Sequence, residues 1–562
     1  MIIRKSSRCF GPTLAIIACC CFTIYSWANS QGQWNVLREH GVRGDGNSLN
    51  TNALQQAIDK VSESGGGTLI FPAGTYLTGT LWLKNNVTLH LEPGAVLLGS
   101  PEIMDYPEIQ VPFPTMNNPF YRHTLLYAEG VNNIAITGQG VIDGQGDARG
   151  FKRRSTKAPE RYMNRPSVIR FVNCGGVLLR DVGVKDAGFW VTHFLACDDV
   201  VIDGVNVDSR TANYNNDGFD IDCCSNVRVS NCHINSQDDA ICLKSTGQRV
   251  CRNVIISNCV LSSNCSGIRF GCEAFGGFED IVISNITLNN VGASAIQLQV
   301  FDGGVLDRVI LSGITMRDVN QGIFINVGHE MYPIGIAKED LPLKHPETIG
   351  KVRNIVLRDI LAEGVGRCRR QDVGGGENMS ENKLACLITG MPESHLENIT
   401  LDNIRMRCVG KGTAEDAASD LSGVKTGFNA GSMGMTPAYG FYCRHVDNLR
   451  LRDIDISYEN DDLRPGLFLE HCATVDVFNA DGKVHPSVTA FMRMRNVSGA
   501  FVHGCRLKDM HVFLSVEGPD TSDISLAGND FRKVPSPVIA APDVPGDTVT
   551  LAHSEWIPVN GG

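Results

Sequence analysis

From residue 177 onward the chain keeps returning to one short pattern. It runs Asn, Asp or Gly, then apolar–x–apolar–x, then Asn or Gly and a further apolar residue. Asp199-Val-Val-Ile-Asp-Gly-Val, Asn226-Val-Arg-Val-Ser-Asn-Cys, Asn253-Val-Ile-Ile-Ser-Asn-Cys and Asp280-Ile-Val-Ile-Ser-Asn-Ile are the clearest copies. The first apolar residue falls at 177, 200, 227, 254, 281 and 309, then at 355, 399, 449, 475, 500 and 524. Short strands with a two-residue period, repeated at intervals of 23 to 28 residues, are the signature of a solenoid. A helical repeat would need a 3.6-residue period over a longer run. The pattern predicts an all-β fold, a right-handed parallel β-helix with one coil per repeat. Three steps of 44 to 50 residues read as coils carrying loop insertions, around 328–350, 365–390 and 409–440. The spacing of Thr51-Asn-Ala-Leu-Gln-Gln-Ala-Ile-Asp-Lys-Val predicts a short helix, capped at Asn50 or Thr51, that covers the open N-terminal end of the solenoid. Each coil buries its inward residues only against its neighbours, so residues 29–562 are expected to form one domain.

The first 28 residues break this texture. Arg4, Lys5 and Arg8 precede an apolar run from Leu14 to Tyr25, and Ser26-Trp27-Ala28 follows it. This is the layout of a secretory signal, and the protein is expected to be secreted or periplasmic. A lipoprotein site at Ile16-Ile17-Ala18-Cys19 is the alternative reading. No later segment is apolar enough to span a bilayer. The net charge of −11 argues against a nucleic-acid partner, but a local basic cleft for an acidic ligand remains compatible with it.

Twenty cysteines suggest disulfides or a metal until their positions are considered. Cys9, Cys19, Cys20 and Cys21 fall in the signal. Cys174, Cys197, Cys224, Cys251 and Cys472 each lie three positions before the first apolar residue of a repeat. Cys232, Cys259 and Cys505 lie five positions after it, where other coils have Val205, Ile286, Ile314, Ile404 and Ile454. Residues that exchange with Ile and Val fill core volume, so buried free thiols are expected. No Cys/His cluster has zinc spacing, and no metal or cofactor is expected.

Solenoids bind along an outer face, so the informative residues point outward and align between coils. Asp217-Gly-Phe-Asp-Ile-Asp222, Asp239-Ala-Ile-Cys-Leu-Lys244, Ser266-Gly-Ile-Arg-Phe-Gly271 and Ser294-Ala-Ile-Gln-Leu-Gln299 superpose. With Phe219, Ile221 and their equivalents inward, Asp220, Cys242, Arg269 and Gln297 form one outward file. Asp222, Lys244, Gly271 and Gln299 form another. Asp217 and Asp239 stack at the strand start beside Asp238, and His193 lies one coil earlier in the file of Asp220. Carboxylates crowded on neighbouring rungs repel one another and raise at least one pKa, as an acid catalyst requires. Glycoside cleavage needs one protonated carboxyl at the leaving oxygen and one carboxylate for water or the sugar. Turn-capping aspartates and a calcium site are the alternatives that spacing leaves open.

The run Asn215-Asn216-Asp217-Gly218, followed by Asp238-Asp239, resembles glycoside hydrolase family 28, the polygalacturonases. Gly41-Val-Arg-Gly-Asp-Gly, Gly65-Gly-Gly-Thr-Leu-Ile-Phe-Pro-Ala-Gly-Thr-Tyr, Thr137-Gly-Gln-Gly-Val-Ile-Asp-Gly-Gln-Gly and Arg165-Pro166 are similar to bacterial members, so the resemblance covers roughly residues 36 to 330. It implies an inverting hydrolase acting on α-linked galacturonate in a pectic or other acidic polysaccharide. Asp238 would be the general acid, and Asp217 and Asp239 would hold and deprotonate the attacking water. Two departures stand out. The family's Gly-His-Gly turn falls on Cys265-Ser266-Gly267, and its Arg-Ile-Lys falls on Gln297-Leu298-Gln299. Lys244 and Arg269 remain on the same face to supply cationic charge, and His193 to supply an imidazole. Asn215, Asp220 and Glu273 complete the expected substrate-binding set with Gln297 and Gln299. Other readings give His193 a structural role and pair Lys244 and Arg269 with Asp222 and Asp220. The basic stretch from Lys152 to Arg165 would be either a cleft-covering loop or a solvated one. The inserted coils between 309 and 449 would wall off one end of the cleft and make the enzyme exo-acting. The rival functions are a lyase or epimerase on the same fold and a non-catalytic carbohydrate-binding β-helix.

Overall fold

The repeat pattern becomes structure through a single device used in every coil. Val227 and Val229, Val254 and Ile256, and Ile281 and Ile283 are buried to 1 % exposure or less, while the residues between them face outward. The polar residue that opens each repeat sits at a bend in the left-handed region: φ is +58° at Asn226, +54° at Asn253 and +57° at Asp280. Asn and Asp tolerate that conformation better than other side-chain-bearing residues. Their amides also stack from coil to coil, Asn253 Nδ2 donating to Asn226 Oδ1 at 3.0 Å and Asn285 Nδ2 to Asn258 Oδ1 at 3.2 Å. The recurring Asn/Asp is therefore both a corner and a ladder.

The computed structural model describes residues 32–554, apart from 40, 117–121, 152–163, 212, 330–342, 344–347, 372–376, 422, 425–426, 428–429 and 508–509. The signal over residues 1–28 and the basic stretch 152–163 lie outside the described residues. Strands pair in parallel, coil on coil, in one continuous 36-stranded sheet. Val200 pairs with Val227, Val227 with Val254, Val254 with Ile281, Ile281 with Val309, and Val309 with Ile355, the register read from the repeat. The fold is a right-handed parallel β-helix. Its core is one cluster running from Val36 to Val534.

The helix Thr51–Glu63 buries Leu54, Ala57, Ile58 and Val61 against this core. Asn50 is its N-cap by position, yet its side chain makes no capping bond. Asn50 Oδ1 instead accepts from Arg43 N at 2.9 Å and Nδ2 donates to Arg43 and Ser48 carbonyls, so the residue ties the incoming loop to the helix start. Every cysteine among the described residues is a free thiol, and all but Cys265 are buried. Cys259 pairs in register with Ile286, as core filler should. Cys223, Cys242, Cys265 and Cys272 lie outside the core cluster and surround the site described next.

Candidate active site

In each coil three strands succeed one another, and one of them carries the polar file. Thr192–Leu195, Phe219–Asp222, Ile241–Ser245 and Ile268–Ala274 stack in parallel. Their register places His193, Asp220, Cys242, Arg269 and Gln297 in one file, as the alternation requires. The second file holds at Asp222–Lys244 but breaks beyond it. A register shift between Leu243 and Ser245 sets Ser245 against Ala274, so Gly271 does not pair with Lys244.

The charge pairing also differs from the expected one. Lys244 Nζ lies 3.8 Å from Asp217, 3.6 Å from Asp220 and 3.6 Å from Glu273, and 5.0 Å over the Trp190 ring. Arg269 is 3.0 Å from Asp239, not paired with Asp220. Asp222 is not the partner of Lys244: it accepts from His193 Nε2 at 3.1 Å and from Thr246 N and Oγ1 at 2.9 and 2.6 Å. Neither oxygen of Asp220 accepts a hydrogen bond, nor does Asp217 Oδ1.

The aspartates therefore differ in electrostatic state. Burial, then the neighbouring Asp239, raises the pKa of Asp238. Burial would raise Asp239 too, but Arg269 and then Lys244 hold it below the usual carboxylate value. Adjacent residues thus favour opposite protonation states, the requirement for an acid and a base in one site. Burial, then Asp220 and Asp238, pushes Asp217 well up, and burial does the same to Asp220. In Asp222 the His193 and Thr246 hydrogen bonds outweigh burial and lower its pKa.

His193 is fully enclosed, its ring 4.8 Å from that of Trp190, and burial takes its pKa down to about 4. It is a neutral imidazole donating to Asp222. Asn215, at φ +61°, has its backbone N–H on Asp238 Oδ2 at 3.0 Å, and Asp238 Oδ1 accepts from Asp239 N. Ser266, in place of the expected histidine, gives its N–H to Asp239 Oδ1 at 3.0 Å and its hydroxyl to Gln297 Oε1 at 3.0 Å. Gln297 Nε2 donates to Gln299 Oε1 at 2.5 Å, and Gln299 Nε2 donates to Asn326 Oδ1 and the Gly427 carbonyl. The two glutamines are an internal amide ladder rather than exposed donors.

Gly427 belongs to the insertion after the strand Leu396–Gly410. Leu421, Met433 and Ala438 of that insertion pack on Phe324, Leu387, Tyr442 and Phe468, the apolar continuation of the same file. Arg444 anchors it by donating to the carbonyls of Leu421 and Val424. The polar face thus ends at Gln297–Gln299 under a roof. On the other side, Ile109, Val111 and Phe113 pack on Tyr127, Val172 and Leu195, and Met116 N donates to the Thr246 carbonyl at 2.9 Å. The polar site lies between these two walls.

Sequence reasoning missed three contributors. Arg170 pairs with His193 one coil earlier, so the step of 23 would have placed a buried cation in the file. Arg165 donates to Tyr214 O and Asn215 Oδ1 and stacks over Phe189, holding the Asn215 loop. Trp190 carries no charge pattern to betray it. The calcium alternative does not fit the donors: Asp217 and Asp220 approach a thiol, Cys242, and the Lys244 ammonium lies against both carboxylates. Calcium takes six to eight oxygen ligands.

A parallel β-helix whose outer face sets neighbouring aspartates with opposed pKa shifts has the layout of a β-helical glycoside hydrolase. The sequence model of glycosyl hydrolases family 28 matches residues 113–363, the stretch that holds the polar site. A probable polygalacturonase of Vitis vinifera is 25 % identical over 422 residues, covering 72 % of this chain and 80 % of that protein. An exo-poly-alpha-D-galacturonosidase of Dickeya chrysanthemi is also 25 % identical, over 52 % of this chain and 57 % of its own length. Among solved structures, a family 28 exopolygalacturonase of Yersinia enterocolitica aligns over 94 % of this chain and 78 % of its own, with TM-score 0.55 and 18 % identity. An exopolygalacturonase of Thermotoga maritima covers 67 % and 87 %, with TM-score 0.54 and 22 % identity. These two carry the fold.

Proposed function

We propose that this protein is an exported exo-acting hydrolase of α-linked galacturonate chains, working with inversion. The observation that carries the reading is the opposed direction of the pKa shifts of Asp238 and Asp239, the first raised by burial and the second lowered by the Arg269 guanidinium 3.0 Å away. Asp238 protonates the leaving glycosidic oxygen. Asp239, held ionised, takes the proton of the attacking water, as an inverting site requires. Asp217 is raised too far to share that task equally, so it positions the water by hydrogen bonding.

The same raised pKa values account for recognition of a uronate. The raised pKa values of Asp217 and Asp220 weaken their hold as counter-charges on the Lys244 ammonium, which also faces Glu273. A substrate carboxylate completes the pair, and Arg170 lies farther along the file. Lys244 so replaces cations that the family pattern places where Gln297 and Gln299 stand. The roof over Phe324 and Tyr442 supports chain-end action, because a long chain cannot run on past the glutamine ladder. The exo-poly-alpha-D-galacturonosidase of Dickeya chrysanthemi among its relatives and the signal-like amino-terminal sequence agree with this reading.

Digestion of oligogalacturonates by wild type and Asp238→Asn tests it. Monomer and the oligomer one residue shorter should appear together, ahead of any product of internal cleavage, and Asp238→Asn should lose about 10²–10⁴-fold in kcat. Products absorbing in the ultraviolet would indicate a lyase and overturn the reading.

A further inference from the structure

Each coil has a second outward face, built by the strand that precedes the active-site strand. There Thr315, Leu361, Arg405 and Asp455 form one file, and Arg317, Glu363 and Arg407 form the next. Together they line a concavity of about 450 Å³ that crosses several coils. Its charge is unlike that of the chain, whose net is −11. Arg407 approaches Glu363 at 3.5 Å, with both side chains more than half exposed. Arg317 and Arg405 are exposed and have no ion-pair partner among the described residues. Leu361, in register between Thr315 and Arg405, is 58 % exposed and gives the groove an apolar surface. Arg317 and Arg407 are two rungs apart in one file, about 10 Å at the spacing of parallel strands.

The hairpin Arg367–Gln371 with Glu377–Glu381 rises beside this groove, Arg369 N donating to Asn290 Oδ1 at 2.6 Å. It leaves the chain between Lys351–Val365, on the groove face, and Cys386–Thr389, on the active-site face. The groove is thus a neighbour of the active-site face and separate from its carboxylates.

We propose that this groove is a second, non-catalytic binding site for an acidic polysaccharide chain. The three arginines outnumber the groove's own carboxylates, Glu363 and Asp455, and a uronate polymer offers further carboxylates for Arg317 and Arg405 and an apolar C–H ring face for Leu361. Guanidinium pairs well with planar carboxylates. The site holds the polymer on the enzyme while chain ends are processed next door. The choice of ligand rests on the uronate reading of the active site.

The test uses affinity electrophoresis of Asp238→Asn protein in gels containing polygalacturonate or a neutral glucan, with and without Arg317→Gln/Arg405→Gln. In parallel, KM is measured for polymer and for the galacturonate trimer in the otherwise wild-type enzyme. Loss of two exposed ion pairs should weaken retardation by polygalacturonate and raise polymer KM by about fivefold. Trimer KM and kcat should stay unchanged, and added salt should erase the difference. Leu361→Ser should weaken polymer binding with the charges intact. Unchanged retardation and unchanged polymer KM in a protein that still cleaves the trimer would overturn the groove and leave the hydrolase reading standing. Arginine-dependent retardation in a protein that cleaves no galacturonate would do the reverse. Equal retardation by neutral glucan, or an equal loss on the trimer, would also overturn the groove.

Discussion

Asp238 and Asp239 share one peptide bond and opposite surroundings, and the activity should follow both. Deprotonation of Asp238 removes the acid, so activity falls as pH rises through its elevated pKa. Protonation of Asp239 removes the base, so activity falls at the acid end, below the usual carboxylate range. Arg269→Gln deletes the charge that holds Asp239 down. The acid limb of the kcat/KM profile should then move to higher pH, and the alkaline limb should move the same way by less, because Arg269 is a lesser cause at Asp238. Asp220 gives a stability test with its sign fixed. Its folded pKa lies above the unfolded value, so it binds more protons folded than unfolded, and its cost to stability grows as pH rises above about 4. Asp220→Asn should raise Tm, more at pH 8 than at pH 5. An equal Tm change at the two pH values would show that titration of Asp220 is not the cause.

At the scale of strands and loops, alternation located His193, Asp220, Cys242, Arg269 and Gln297 in one file, because side-chain direction in a strand is geometry alone. Charge pairing was not legible in the same way. Lys244 stands in register with Asp222 yet lies against Asp217, Asp220 and Glu273, a side-chain direction that no periodic pattern contains. The glutamines were also read in the right place with the wrong exposure, since the roof that covers them comes from residues more than a hundred positions away. Arg444→Ala should loosen that roof by freeing the Leu421 and Val424 carbonyls. Early digestion products should then shift from monomer toward short oligomers, as read by chromatography of a time course. A product pattern identical to wild type would separate the roof from chain-end preference.

Across the whole molecule, the repeat spacing carried nearly all of the fold, since every coil reuses one corner, one ladder and one pair of inward apolar residues. Ile256, fully buried between Ile283 and Val229 in its file, is typical. Ile256→Ala should cost about 2–5 kcal/mol by chemical denaturation, a cavity that the neighbouring rungs cannot close. The cysteines obey the same logic: most fill the core, and thiol titration should find them reactive only after unfolding. The central claim remains the pairing of Asp238 as acid with Asp239 as base on a uronate chain. Proton NMR of a fresh oligogalacturonate digest tests it most directly. β-Galacturonate monomer is the expected first anomer released by wild type, with Asp238→Asn slower by about 10²–10⁴-fold. An α-anomer first, an unsaturated product, or an Asp238→Asn as fast as wild type would contradict it.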